Sequence, residues 1–569
     1  MIKIAPRNLL KTLTFLGLSL NLTSMSSATD FARFDWVDYR NVEPGPAAGP
    51  GEYRNPVLGG YYPDPSVVRV GQDFYLVNSS FSWFPGLPVW HSRDLVHWRQ
   101  IGNAIDRKGQ LDFTGLGMSL GTFAPDISHH DGLFYIVNTC VVCGGNFVVT
   151  AHDPKGPWSN PVWLKNVDGI DPSLFFDDDG SAWLVHNGDP QARRYQGHTA
   201  IWLTRFDPRT LQAVGEAKVI VDAGVEPSKN PIWIEGPHLF KKDGTYYLMA
   251  AEGGTAENHS EVIFRSDKVE GPYLPAPASV NPILTQRDLD PARANPITSS
   301  GHADLVKTEK GDWWSVFLAT RPYAGGLYNT GRETFLAPVT WHEGWPTILP
   351  HATPIPIPIL AKAPDLPRDT APPTTGAFET REEFTGAALG PEWMMMRSPT
   401  TNWHRLEHGA LVLEVRNERL GDGKQPSFIA RRQQNPEAIV VASLRFAPVE
   451  GEEAGLAALQ NDNYFLSVAL ARIDGKLVVR VTRRAGPGDP PGGVVMARRP
   501  VPAGPIQLRI HARGGAYDFD YAVKPGQWLP AAHDVDATNL STAKAGGFVG
   551  TLIGPYAQSA AGASPAPIR

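Results

Sequence analysis

The sequence predicts an all-β protein: a five-bladed β-propeller over residues 29–350, then a β-sandwich over residues 379–569. Three observations predict it. A hairpin-like block recurs five times in the first two-thirds of the chain, a proline-rich stretch ends the pattern, and the remainder alternates between short strands and turns. The 56 Gly and 52 Pro among 569 residues suit a turn-rich β protein, and the length asks for more than one core.

The block reads DPSVVRVGQDFYLV (64–77), APDISHHDGLFYIV (124–137), DPSLFFDDDGSAWLV (171–185), EGPHLFKKDGTYYLM (235–249) and HADLVKTEKGDWWSV (302–316). Each has a short apolar strand, a polar turn with Gly and an aromatic-led second strand, the pattern of a hairpin. A recurrence every 45–67 residues or so suits four-stranded propeller blades. Strands in a propeller run radially, so the leading residues of the blocks gather near the central axis. Those residues are Asp64, Ala124, Asp171, Glu235 (offset by one) and His302. Clustered acids repel and resist burial, which raises their pKa values. Two readings follow: each acid caps a turn amide, or the set performs acid–base chemistry. Hydrolysis of a glycosidic bond uses such a set, one carboxylate activating water and a carboxylic acid protonating the leaving oxygen. In the second block Asp126 sits two places past Ala124, and it reads as a buried strand cap before a fourth acid of the site. His129 and His130 read as turn or surface residues, and Asp177–Asp179 as a solvated turn.

Residues 1–28 read as a secretory signal: Lys3, Arg7 and Lys11, an apolar stretch near Leu13–Leu20, and small residues up to Ala28. The alternative, a membrane anchor, needs a longer run than this one. The expectation is an exported protein, periplasmic or extracellular, with no membrane association after signal removal. A formal net charge of −6 without a basic stripe argues against nucleic acid as a partner. Residues 351–378 read as a proline-rich linker or strap. Beyond it ALVLEV, AIVVASLRF, YFLSVALARI, KLVVRVTRR and IQLRIHA are spaced as sandwich strands. Cys140 and Cys143 lack the partners for a zinc site and leave a local disulfide or two free thiols open.

Through NPVLGGYYPDPSV, SSFSWFPGLPVWHSRDLVHW, GIDPSLFFDDDG, IEGPHLF, GHADLV and TGRETFLAP the chain resembles glycoside hydrolase family 43, in its β-xylosidase and α-L-arabinofuranosidase branch. QPSFIARRQQ, EEAGLAALQNDNYF and GGFVGTLIGPYA extend the likeness through a concanavalin-like sandwich. The resemblance implies an inverting mechanism with Asp64 as general base, Glu235 as general acid, and Asp171 orienting that acid and tuning its pKa. It implies that Arg332 donates to the bound sugar and that Phe548 reaches the propeller pocket. His302 would meet a structural Ca2+ or a water near the axis, with no cofactor needed for the chemistry. Trp83 and Phe84 are candidates for the sugar-pocket wall, or else for core. The expected substrates are β-1,4-xylo-oligosaccharides, cleaved from the non-reducing end, or arabinose-decorated xylan fragments. An α-L-arabinofuranosidase, a retaining hydrolase and a non-catalytic carbohydrate-binding propeller are the rival readings. A homo-oligomer is a further candidate state.

Overall fold

The computed structural model describes residues 31–559 apart from 44, 46, 357, 358 and 361. The expected signal segment lies outside them. Five antiparallel sheets follow one another at residues 66–105, 126–163, 170–222, 235–275 and 298–347, each built on four strands in chain order; the second also takes in Gly121–Thr122 and the fourth Leu284–Thr285. Each blade opens with the predicted hairpin. In the first, Val70 pairs with Asp73 across Gly71, whose φ of 64° is the left-handed geometry that a tight hairpin asks of its first turn residue. Apolar faces of neighbouring blades pack together; Val77, Val89 and Ile105 of the first meet Ile127, Ile136 and Val149 of the second.

Side chains from the first strands lock the blades around the axis. Ile127 N donates to Ser66 Oγ (3.1 Å), Leu174 N to Asp126 Oδ2 (3.0 Å), and Ser173 Oγ to Pro237 O (2.5 Å). Ala303 N then donates to Glu261 Oε2 (2.9 Å), and Val67 N to Asp304 Oδ2 (2.8 Å), which closes the ring between the last blade and the first. Buried amides left open at these joints would each cost about 1–3 kcal/mol. Asp126 is therefore a buried cap, as its offset position suggests.

The sandwich has two eight-stranded sheets and a core that includes Leu444, Leu456, Val468, Leu508, Phe519 and Ile553. Its limits differ from those expected. Phe31–Asn41 is not propeller: it lies inside the first sandwich sheet, between Leu411–Glu414 and Glu437–Arg445. Its alternation buries Ala32, Phe34, Val37 and Tyr39 in the sandwich core, and its partners lie almost a whole chain away, beyond what local periodicity reveals. Trp83–Phe84 leaves the first blade in the same way and pairs with Met395 and Met396 at the edge of the second sheet.

The proline-rich stretch lies against the propeller. Ala363 N donates to Gly51 O (2.7 Å), Asp369 N to Asp94 Oδ2 (2.8 Å) and Thr374 Oγ1 to Val57 O (2.7 Å). Cys140 and Cys143 are joined in a disulfide across the turn Val141–Gly145 of the second blade. Asp177 is not solvated: it is buried, paired with Lys241 Nζ (2.8 Å) and accepting from Tyr246 Oη (2.6 Å). Among the described residues no helix is long and apolar enough to cross a membrane.

Candidate active site

The backbone at the head of each blade explains why acids collect there and why one is displaced. Asp64, Asp171 and His302 take φ values of 51°, 54° and 50°, and Gly236 takes 55° at the matching place in the fourth blade. Asp and His are among the few residues besides glycine that enter the left-handed region with any frequency, which suits them to these turns. In the fourth blade the position must be glycine, because a Cβ there would lie 2.7 Å from His302 Nε2. The acid moves back one residue, to Glu235.

Asp64, Asp171, Glu235, His302 and Arg332 line one cavity with about 380 Å³ of empty space. Asp64 is buried and accepts from Arg332 Nη1 (2.8 Å) and from Ser79 Oγ. Burial alone would push its pKa up; the Arg332 charge and the Ser79 hydroxyl outweigh it and hold the carboxyl below the usual range. His302 Nδ1 is 3.9 Å from Asp64 Oδ1, but burial drives the imidazole down to about 3. His302 is thus neutral at working pH and adds little to that hold.

Glu235 behaves in the opposite way. Burial first, and the Asp64 charge second, raise its pKa to about 7 against a partial offset from Arg332. Asp171 is also raised, by burial and then by Glu235 and Asp64. Two buried neighbours that repel each other hold one proton to higher pH than either would alone. Gly236 N donates to Asp171 Oδ2 (3.2 Å), a bond that offsets part of the rise in Asp171. The cavity therefore holds an ionised Asp64 and a protonated Glu235 at the same pH.

The aromatic wall is not the one expected. Trp83 is fully buried beneath the site, against Phe428, and Phe84 belongs to the sandwich core. Phe81 and Phe123 line the cavity instead, with Ala124, Ile170 and Thr255. Phe81 lies two places on from Ser79, which touches Asp64, but outside any strand and at a φ of 51°, so alternation does not point to it. Phe123 immediately precedes the leading residue of the second block. Phe548 does reach the cavity from the sandwich, stacking on Phe81 with centroids 5.7 Å apart and lying 5.5 Å from the Arg332 guanidinium carbon. Its amide donates to Ser119 Oγ (2.9 Å), and Thr551 N donates to Asn329 O (2.8 Å), so the sandwich loop is docked on the segment leading to Arg332.

A cation site at His302 finds little support in its surroundings. Among the described residues the group with metal-like spacing is Asp126, His238 and Asp304, one layer deeper. Their carboxylate oxygens already accept from Leu174 N, Val67 N, Leu305 N (2.7 Å) and Ser66 Oγ. Burial would lower the His238 pKa, but Asp304 and Asp126 raise it to about 9. An imidazolium already balances this trio, which offers far fewer free oxygens than the six to eight calcium takes.

A β-propeller holding two buried acids and a half-buried third at one cavity, in opposed protonation states and closed over by an aromatic-bearing sandwich loop, defines a glycoside hydrolase. The chain belongs to glycosyl hydrolase family 43, whose model matches residues 53–346; the model of the β-xylosidase C-terminal concanavalin A-like domain matches 381–568. A xylosidase/arabinosidase of Butyrivibrio fibrisolvens is 38% identical, over 89% of this chain and 95% of the relative. A non-reducing-end α-L-arabinofuranosidase of Bacteroides ovatus is 37% identical, over 89% of this chain and 91% of the relative. A family 43 structure retrieved from a capybara gut metagenome superposes with a TM-score of 0.84 at 37% identity, covering 93% of this chain and 99% of that one. The protein is a glycoside hydrolase with xylosidase or arabinofuranosidase activity, or both. The family works without a cofactor in the chemistry.

Proposed function

We propose that this chain is an exo-acting, inverting β-xylosidase that releases xylose from the non-reducing end of β-1,4-xylo-oligosaccharides. The observation that carries the proposal is the opposed charge state of Asp64 and Glu235 across one small cavity. Asp64 takes a proton from water as the water oxygen attacks the anomeric carbon. The bond from that carbon to the glycosidic oxygen breaks, and Glu235 gives its proton to the leaving oxygen. The products are a sugar of inverted configuration and the shortened chain; solvent exchange restores both carboxyls. Asp171 keeps the proton on Glu235 until it is needed. Arg332 keeps Asp64 ionised and borders the sugar. Phe548 shuts one side of the cavity, which favours chain ends over chain interiors.

A second reading, α-L-arabinofuranosidase, is favoured by the name of the Bacteroides relative, and both pentoses suit the same acids. Hydrolysis of nitrophenyl β-xylopyranoside against nitrophenyl α-L-arabinofuranoside decides between them. The proposal expects the xyloside to be the faster substrate, and a dominant arabinofuranoside rate would replace it with the second reading. Loss of turnover with sugar binding retained in Asp64→Ala separates either enzyme from a non-catalytic propeller. Export through residues 1–28 completes the proposal, supported by the basic residues, apolar stretch and small residues that follow one another there; an N-terminus beginning near residue 29 in protein recovered from the medium or periplasm tests it.

A further inference from the structure

Trp233 is an outlier on three counts. It is 46% exposed, although tryptophan is normally well covered. Its φ is 51°, a region that a bulky residue adopts only when its surroundings hold it there. It also stands two residues before Glu235, a stretch of chain that reaches at most about 7 Å.

The surroundings do hold it. Trp233 N donates to Gly197 O (2.7 Å), and Gly253 N donates to Ile232 O (3.0 Å). Ile234 is fully buried, and its carbonyl accepts from Asn187 Nδ2 (2.5 Å) and Thr199 Oγ1 (3.0 Å). The edge of the indole, at Cε3 and Cζ3, abuts Gly254, where a Cβ would come within 2.6 Å of the ring. The next residue, Thr255, lines the cavity. One ring edge is thus seated on bare backbone beside the cavity while much of the ring, faces included, stays open. Hydrophobic burial does not account for an arrangement that strains the backbone and leaves an indole half in water.

We infer that Trp233 is the platform on which the leaving-group sugar stacks, the ring attached through the oxygen that Glu235 protonates. The inference rests on the proposed glycosidase reading and extends it to the far side of the scissile bond. The departing sugar must emerge beside Glu235, and the clamp on Ile232–Glu235 fixes platform and acid as one unit. An open indole face meets the C–H face of a pyranose, burying apolar area on both. Trp233 thereby sets a preference for oligosaccharides over glycosides with small leaving groups.

The test compares kcat/KM of the full-length wild type, Trp233→Ala and Trp233→Phe on two substrates of the same glycone. One is a disaccharide (xylobiose or an arabinosyl-xylose, whichever the wild type cleaves); the other is the glycosyl fluoride, whose leaving group has no ring to stack. The expected result is a fall of about tenfold or more in the disaccharide-to-fluoride ratio for Trp233→Ala, with Trp233→Phe restoring most of it. An unchanged ratio, or equal losses on both substrates, overturns the inference and leaves the proposed activity standing. A wild type that cleaves neither disaccharide overturns both.

Discussion

Two layers of the propeller axis, two residues apart on each strand, carry similar side chains and do different work. The upper layer holds Asp64, Asp171 and His302; the layer beneath holds Ser66, Asp126, His238 and Asp304. Beneath, every acid is saturated. Asp126 accepts from Leu174 N and Ser66 Oγ and lies 3.5 Å from His238 Nδ1; Asp304 accepts from Val67 N and Leu305 N. Above, Asp171 accepts a single amide bond, from Gly236, and Glu235 is pushed up to about 7 by burial and then by the Asp64 charge. Residue type does not separate a reactive acid from a structural one. For Asp171 and Glu235 against Asp126 and Asp304 the number of donors already committed to the oxygens does; Asp64, which accepts from Arg332 and Ser79, is set apart by lining the cavity.

The largest contrast between the layers is in turnover. Asp64→Asn and Glu235→Gln each remove one side of the proton exchange, and kcat should fall by about 10²–10⁴ in each, while calorimetry finds both variants folded. Glu235→Gln should melt higher than wild type at pH 8. A carboxyl whose folded pKa is raised favours the fold at low pH and loses that contribution as pH rises through about 7, whereas the amide carries no charge to bury. A lower melting point at pH 8 would break the comparison.

In the lower layer Asp126→Ala should do the reverse. It strands the Leu174 amide and one flank of the His238 imidazolium, at about 2–4 kcal/mol. The melting temperature should drop, with kcat per folded molecule changed less than in Asp64→Asn. His238 also gives this layer a pH signature. Its raised pKa contributes stability in full below about 6.5 that drains away as pH rises through about 9. Melting profiles across that window check it, and Asp126→Ala should flatten them.

Smaller effects sharpen the account of the upper layer. The wild-type kcat/KM should decline as pH rises through about 7, where Glu235 gives up its proton, and hold on the acid side to below the usual carboxylate range. Arg332→Ala removes a cation that lowers both pKa values, so both limbs of the profile should move to higher pH. Ser79→Ala, which deletes only a hydrogen bond to Asp64, should move the acid limb alone, upward and by less.

Much of this was legible before any coordinates, because blades are local. Each hairpin announces itself through its turn glycine and its alternation, and Asp64, Asp171 and Glu235 stand at fixed places in those blocks. What was hidden depended on partners far along the chain. Phe31–Asn41 looks like the start of the propeller, yet pairs with Glu437–Arg445. Trp83 and Phe84 sit among pocket residues in sequence and are turned into the sandwich by pairing with Met395 and Met396. The wall therefore fell to Phe81 and Phe123. Arg332 was read as a sugar donor, and its ion pair with Asp64 joins segments 268 residues apart that no local pattern connects.

The opposition between an ionised Asp64 and a protonated Glu235 has one direct consequence, the anomer first released. Proton NMR of fresh product during hydrolysis of a β-xyloside should show α-xylose before mutarotation mixes the forms, or the inverted arabinose from an α-arabinofuranoside. Initial release of the starting configuration would mean that Asp64 bonds to the sugar rather than to water's proton, and the account of the site would be wrong.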